Sequence, residues 1–226
     1  MIAIIPDVHG RRFWTAIKDK VDDFDKIIFL GDYLDPYYPN EKILPEDAIA
    51  NFEEIIEFAK QYPDKVILLI GNHDCWSIDR RKESCRHAYV FWQIQHDMFI
   101  NNKDLFKYAH IEGNVLYTHA GVTKEWIEQN NFDLNESNIV EFLNSNPKEL
   151  WQVGMSRGGW CDHSSPIWAC AYGDWPASHN PFNLTQIFGH SQQRSTGSKV
   201  SFCNNTCHCI DSRAIFTWDN NELKVF

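Results

Sequence analysis

Five short segments of the chain combine carboxylate, carboxamide and imidazole side chains, each beside a glycine. They are Asp7-Val8-His9-Gly10, Gly31-Asp32-Tyr33-Leu34-Asp35, Gly71-Asn72-His73-Asp74, Thr118-His119-Ala120-Gly121 and Gly189-His190-Ser191-Gln192. Carboxylate and imidazole ligands together suit manganese, iron, zinc or nickel, whereas calcium prefers a shell made only of oxygen. A carboxylate can bridge two such ions roughly 3.5–4 Å apart, and the pair then clamps the attacking and leaving oxygens of a displacement at phosphorus. The residue types therefore predict transition-metal ligands, and a pair of ions bridged in this way could carry out phosphoryl chemistry.

The first three of these segments each follow a short apolar run. The runs cover residues 2–5, 26–30 and 66–70. Between them, apolar residues recur at helical spacing from Phe13 to Phe24 and from Ile49 to Ala59, and Pro45 begins the second helix. Three apolar strands separated by two helices predict parallel βαβ units. Since right-handed crossovers bring the carboxyl ends of such strands to one edge of the sheet, the polar segments should meet there.

The second half of the chain predicts short strands joined by turns, which we expect to be antiparallel. The strands are predicted at residues 115–118, 186–188, 199–202, 208–210, 215–218 and 223–226. Asp219-Asn220-Asn221 is typical of a hairpin turn, and helices are expected at 124–130 and 137–143. Residues 151–183 are rich in Gly, Ser, Pro and Trp, which predicts a long irregular loop of the kind that often carries function. We expect its tryptophans to pack in the core or against the loop.

The composition is that of an ordinary globular chain, with 43% hydrophobic and 23% charged residues among 226. Neither a linker nor a repeat divides this length, so we expect a single domain over residues 1–226. The formal net charge of −10, without a basic run, argues against binding to a nucleic-acid duplex or a membrane surface. No apolar stretch approaches the ~18 residues of a membrane span. The N-terminal residues lack the basic region of a signal peptide, so we expect a cytoplasmic protein.

Seven scattered cysteines fit reduced thiols better than a disulfide framework. Cys203, Cys207 and Cys209 surround His208, but this spacing, with no second pair of cysteines, is not that of a zinc finger. We therefore expect buried structural thiols at these positions.

The order of the five polar segments is more specific than any one of them alone. Together with Cys209-Ile210-Asp211-Ser212, they resemble the signature of the calcineurin-like metallophosphoesterases. The likeness is greatest to the phosphoprotein-phosphatase branch, which includes bacterial and phage members. It spans residues 7–190 and implies an α/β fold, a four-layer α-β-β-α sandwich with mixed sheets.

The resemblance also implies a role for each residue of the centre. One ion would be held by Asp7, His9 and Asp32, and a second by Asp32, Asn72, His119 and His190. His73 matches the family's catalytic histidine, and Asp35 matches the carboxylate that pairs with it. A hydroxide between the ions would attack phosphorus, and His73 would protonate the leaving group. The cofactors would be two divalent transition-metal ions, with manganese expected and iron, zinc or nickel as alternatives.

The chain departs from the family where the phosphate is held. Pro36 and Tyr37 follow Asp35, at the place where the family's protein phosphatases carry an Arg-Gly pair. The missing arginine leaves two substrate classes open, a phosphoprotein and a nucleotide or dinucleoside polyphosphate. A non-catalytic scaffold with the same fold is a third alternative.

Arg157 is the candidate that replaces the missing arginine. It is followed by two glycines in the long loop, and glycine lets the backbone approach a ligand closely. Its guanidinium could bind two phosphoryl oxygens. The alternative is an ion pair with Asp162 that maintains the shape of the loop. The pairs Arg11-Arg12 and Arg80-Arg81 are expected on solvated faces.

Overall fold

The computed structural model describes residues 1–37, 39–80 and 89–226. Its strands, in chain order, are β1 (Ile2–Ile5), β2 (Lys26–Phe29), β3 (Val66–Leu69), β4 (Phe106–Lys107), β5 (Ala109–Glu112), β6 (Val115–Thr118), β7 (Thr185–Phe188), β8 (Val200–Phe202), β9 (Cys207–Cys209), β10 (Phe216–Asp219) and β11 (Glu222–Val225). Its α-helices are α1 (Pro45–Gln61), α2 (Asn72–Ile78), α3 (Trp92–Asn101), α4 (Lys124–Gln129) and α5 (Ile139–Asn144). The chain forms two compact units. The first unit comprises Met1–Lys107 and Arg213–Phe226, and the second comprises Tyr108–Ser212. That both belong to one domain stays a prediction.

A six-stranded sheet forms the centre of the first unit, in the order β11-β10-β1-β2-β3-β4. Strands β1 to β4 are parallel, whereas β10 and β11 pair antiparallel at one edge. Phe52 of α1 lies in the core and stacks on Tyr33 at 4.7 Å between ring centroids. The predicted βαβ arrangement is confirmed, and the carboxyl ends of β1, β2 and β3 share one edge.

The hairpin between β10 and β11 is also confirmed. Asp219 pairs with Glu222, and the two residues between them, Asn220 and Asn221, have φ values of 49° and 61°. Two consecutive residues of positive φ are typical of the tight turn that matches the twist of a hairpin, and asparagine tolerates this conformation better than most residues.

The first predicted helix differs from expectation. Residues Phe13–Asp23 form 3₁₀ turns with a break at Lys20, and their buried side chains are Trp14, Ile17 and Val21. The predicted apolar face began one residue earlier, at Phe13, which is only half-buried. Trp14 lies in the core, where its Nε1 donates a hydrogen bond to Oδ1 of Asn51 at 2.9 Å, so the polar atom of the buried indole is satisfied.

The second unit is built on a five-stranded sheet, in the order β5-β6-β7-β9-β8. Its central strands β6, β7 and β9 are parallel, and only the edge strands β5 and β8 pair antiparallel. The expectation of antiparallel strands is therefore wrong for the centre of this sheet. Parallel neighbours need a long crossover, and residues 119–184 between β6 and β7 supply one. Both sheets are mixed, as predicted for the α/β fold.

Helices α4 and α5 lie where the sequence predicts them, and residues 151–183 contain only short 3₁₀ turns. This loop is anchored by Trp175, which is buried and stacks on Phe188 at 4.8 Å. Trp160 is an exception to the prediction for the tryptophans, since 95% of its surface is exposed. In the described part of the chain, no helix is both long and apolar enough to cross a bilayer.

The cysteine prediction is confirmed for two of the three clustered thiols. Cys207 and Cys209 are fully buried, whereas Cys203 is half-buried. The six described cysteines are all free thiols, and Cys85 lies outside the described residues.

Candidate metal centre

The polar segments of the first unit lie directly after β1, β2 and β3. Asp7 and His9 follow β1, Asp32 follows β2, and Asn72 begins α2 after β3. All of them are at least 98% buried. The short α2 sets Asn72 and His73 on consecutive residues of its first turn, which fixes both backbones at the edge of the sheet.

His9, Asp32 and His73 form a compact buried group. One ligand atom from each lies within 4.8 Å of the others, a spacing that could hold a metal ion. Nε2 of His9 lies 3.5 Å from Oδ2 of Asp32. The imidazole rings of His9 and His73 meet edge to face at 5.0 Å.

The ring of His9 is held in one orientation by a backbone contact. Its Nδ1 lies 2.9 Å from the carbonyl oxygen of Leu34, which can only accept, so Nδ1 carries the proton. Nε2 is then the ring nitrogen that faces Asp32. This is the arrangement that metal-binding histidines adopt, with one nitrogen on the ion and the other donating to an acceptor.

Asp32 is fixed from both sides. Its Oδ1 accepts a hydrogen bond from the backbone N–H of His73 at 2.9 Å. Its own N–H donates to Oδ2 of Asp74 at 2.8 Å, and the same oxygen accepts from the N–H of Gly71 at 2.8 Å. Oδ1 of Asp74 accepts from the N–H of Tyr33 at 3.0 Å. Asp74 therefore ties the loop after β2 to the loop after β3.

Asp74 has no predicted role, although it is fully buried and organises these two loops. Burial raises the pKa of Asp74 well above its usual range, and the neighbouring charge of Asp32 raises it further, while the three backbone donors oppose the shift. Its position directly after the Gly-Asn-His triplet is the only signal that the sequence offers.

Asp35 and His73 form the predicted pair. Nδ1 of His73 lies 3.0 Å from Oδ2 of Asp35, and both side chains are more than 90% buried. A carboxylate on Nδ1 favours the tautomer or charge state in which that nitrogen carries a proton, which leaves Nε2 as the atom that can exchange a proton with a ligand.

Four of the predicted site residues have a positive φ, three in the first unit and one in the second. The angles are 44° for His9, 54° for Asp32, 57° for Asp35 and 67° for His190. This left-handed conformation costs of order 1–3 kcal/mol for a residue with a side chain, and it clusters at functional sites. Gly31, beside Asp32, has φ 102°, and a Cβ there would clash with the backbone of Gly71.

The second unit places His119 and His190 together. Nε2 of His119 lies 3.2 Å from Nδ1 of His190, and the rings meet at 5.1 Å between centroids. The backbones are joined as well, since the N–H of Gly189 donates to the carbonyl of His119 at 2.7 Å. The two histidines thus form one rigid pair at the ends of β6 and β7.

Arg157 lies beside this pair. Its Nη2 donates to Oγ of Ser191 at 2.8 Å, and Ser191 directly follows His190. The guanidinium is exposed, and among the described residues no ion pair joins it to Asp162. The contact that orients Arg157 is therefore the hydroxyl next to a predicted ligand.

Arg11 differs from its predicted place on a solvated face, and that prediction is wrong. Only 8% of it is exposed, and its Nε and Nη2 donate to both carboxylate oxygens of Glu41 at 2.7 and 3.0 Å. A carboxylate that matches the guanidinium fork allows the charge to be buried. Arg12 is exposed and pairs with Glu54, as expected, and Arg81 lies outside the described residues.

Comparison with known proteins gives one family and a shared fold. The sequence model described as calcineurin-like phosphoesterase matches residues 1–194. A cold-active protein-tyrosine phosphatase from a Shewanella species superposes with a TM-score of 0.56 at 18% identity, over 98% of this chain and 76% of that one. A metallophosphoesterase from Sphaerobacter thermophilus gives a TM-score of 0.46 at 16% identity, over 99% of this chain and 86% of that one. At these identities, the first likeness supports the fold alone.

Proposed function

This chain belongs to the calcineurin-like phosphoesterases, hydrolases that act on phosphate esters, and we propose that it uses two divalent ions, with manganese as the native metal. The observation that carries the proposal is the buried pair of predicted ligands His9 and Asp32, whose Nε2 and Oδ2 atoms lie 3.5 Å apart beside the predicted acid His73. The donors fit a transition metal, since imidazole and carboxylate are combined and His9 already has its Nε2 directed at Asp32.

The ligand set proposed for the two ions is the one that the family resemblance implies. It comprises Asp7, His9, Asp32, Asn72, His119 and His190. Bound ions of this kind stabilise charge on phosphoryl oxygens and lower the pKa of a water molecule toward neutrality. Five of these six residues are buried and His190 is half-buried, so bulk solvent is largely excluded from their side chains, which strengthens each electrostatic contact.

The remaining residues of the site handle the proton and the phosphoryl group. His73 donates a proton from Nε2 to the leaving oxygen, while Asp35 holds the ring through Nδ1. Arg157 binds the non-bridging oxygens of the phosphoryl group, and Ser191 orients its guanidinium.

Two substrate classes remain in competition. Phosphoproteins follow from the resemblance to the phosphoprotein-phosphatase branch. A nucleotide or dinucleoside polyphosphate is favoured by one observation, the exposed indole of Trp160 in the loop that carries Arg157, because an exposed aromatic ring can stack on a base.

The proposal is tested by measuring metal content and hydrolysis on the same preparation. Protein grown with manganese is expected to contain close to two equivalents of transition metal by elemental analysis. It should hydrolyse at least one of phosphopeptides, mononucleotides, dinucleoside polyphosphates and bis-p-nitrophenyl phosphate. His9→Ala should lose metal and activity together. Less than one equivalent of metal in the wild type, with no hydrolysis of any of these compounds, would favour the scaffold alternative.

A further inference from the structure

His190 stands at the centre of a strained turn in the second unit. The N–H of Ser191 donates to the carbonyl of Gly189 at 2.8 Å, across the single residue His190, whose φ is 67°. A γ-turn with positive φ is rare because it is strained, and it persists only where neighbouring groups hold it. The contacts that hold this turn therefore also fix the direction of the imidazole.

Two side chains from outside the turn bind the carbonyl groups on either side of His190. Sγ of Cys209 lies 3.1 Å from the carbonyl oxygen of Gly189 and 3.4 Å from that of Ser191. Nε2 of Gln193 donates to the carbonyl of Ser191 at 2.7 Å and to Sγ of Cys209 at 3.3 Å. The thiol has one proton, and Gln193 already serves Ser191, so the thiol proton is left for Gly189.

Both side chains are themselves fixed. Cys209 is fully buried in β9, which pairs parallel with β7, so its backbone is anchored in the sheet that ends at His190. Gln193 is 8% exposed, and its N–H donates to the carbonyl of Asp211 at 2.6 Å. Cys209 thus holds the turn from the sheet, and Gln193 holds it from the loop that follows.

We propose that Cys209 and Gln193 are positioning residues that hold the imidazole of His190 in the orientation needed to bind a metal ion. This inference rests on the proposed role of His190 as a metal ligand. It also gives a function to one thiol of the cluster Cys203, Cys207 and Cys209, which the sequence predicts to be structural only.

The competing explanation is that Cys209 merely fills the core, and Cys207 provides the matched control for it. Both thiols are fully buried, both belong to β9, and both lie in the same apolar cluster. Sγ of Cys207 lies 3.9 Å from Oγ1 of Thr206, and among the described residues it makes no hydrogen bond to residues 189–191. Cys209→Ala and Cys207→Ala therefore remove similar side chains from one cluster, while only the first disturbs the turn.

The experiment removes metal from the 226-residue chain and then titrates it with Mn²⁺ alone in a calorimeter. The melting temperature of the metal-free protein is measured for each variant in parallel. Replacing a residue that holds a metal ligand in place typically lowers metal affinity 10- to 100-fold. We expect Cys209→Ala and Gln193→Leu each to weaken one of two Mn²⁺ sites by about tenfold. Cys207→Ala should stay within about twofold of the wild type, although it also lowers the melting temperature by removing a buried side chain. Cys209→Ser, which keeps a donor, should recover part of the affinity.

His190→Ala separates failure of this inference from failure of the proposed function. If His190→Ala binds Mn²⁺ as the wild type does, the ligand role itself is wrong. If His190→Ala loses one site but Cys209→Ala and Gln193→Leu match Cys207→Ala, the positioning role is refuted and Cys209 is a packing residue. Should Cys209→Ala fail to fold, Gln193→Leu decides the question in the same assay.

Discussion

Replacing Asp74 tests whether one buried carboxylate holds the metal edge of the first unit together. Its two oxygens accept three backbone hydrogen bonds, from Asp32, Tyr33 and Gly71, at 2.8 to 3.0 Å. A buried donor that loses its partner costs about 1–3 kcal/mol. Asp74→Ala leaves all three donors without their acceptor, so it should lower the free energy of unfolding by at least about 3 kcal/mol.

Asp74→Asn should be milder, because the amide keeps one oxygen. In its better orientation that oxygen replaces Oδ2 and serves Asp32 and Gly71, while the NH₂ group faces the N–H of Tyr33. One donor then lacks its partner, and we expect a loss of about 1–3 kcal/mol.

The assay is urea unfolding of the metal-free protein at neutral pH, with Asp47→Asn as the control. Asp47 is an exposed carboxylate that accepts a single backbone hydrogen bond, from Leu44 at 3.2 Å, so its replacement should cost no more than about 1 kcal/mol. If Asp74→Ala destabilises the protein no more than Asp47→Asn does, the three hydrogen bonds do not organise the edge and the reasoning is refuted.

Three further predictions concern the acid, a buried imidazole and a glycine. His73→Asn should lower kcat on phenyl phosphate 10²- to 10⁴-fold and on p-nitrophenyl phosphate much less, because the better leaving group needs no proton; an equal loss on both esters would contradict the role of the acid. Burial lowers the pKa of His208 to about 4, so the unfolded chain binds a proton at this residue before the folded protein does. As the pH falls from about 6.5 to 4, the free energy of unfolding of the wild type should therefore decrease by up to about 3 kcal/mol relative to that of His208→Gln. Urea unfolding at several pH values measures this difference, and parallel pH profiles of the two proteins would contradict the prediction. Gly121→Ala, where φ is 85° and a Cβ would meet two aromatic rings, should cost about 2–5 kcal/mol. Gly113→Ala, at φ 60° in open space, is its control and should cost about 1 kcal/mol.

The sequence predicts much of what local pattern and chain direction decide. The apolar runs locate β1, β2 and β3, and the parallel crossovers then require Asp7, Asp32 and Asn72 to share an edge. The hairpin at Asn220 is encoded by residue type, since asparagine tolerates a positive φ. These features need no knowledge of contacts between distant residues.

What the sequence does not reveal depends on partners far away in the chain. Asp74 accepts a hydrogen bond from the N–H of Asp32, 42 residues earlier in the chain. Arg11 can be buried because its guanidinium pairs with the carboxylate of Glu41, 30 residues later. Trp14 is fully buried, and its indole N–H donates to Asn51, 37 residues later in the chain. The spacing of residues along the chain does not reveal such long-range pairs. In the sequence, a buried polar residue that organises a site therefore cannot be distinguished from a polar residue on the surface.

The strained backbone connects these two observations. His9, Asp32 and His190 are proposed ligands, and each has a left-handed φ that its side chain disfavours by about 1–3 kcal/mol. A chain with a net stability of only about 5–15 kcal/mol can hold several such residues only where other contacts compel them. Asp74 supplies those contacts beside Asp32, and Cys209 supplies them beside His190. Asp74 and Cys209 therefore stabilise the backbone conformation of two predicted ligands, although the sequence does not single out either residue. Replacing either one should weaken metal binding even though neither is a proposed ligand.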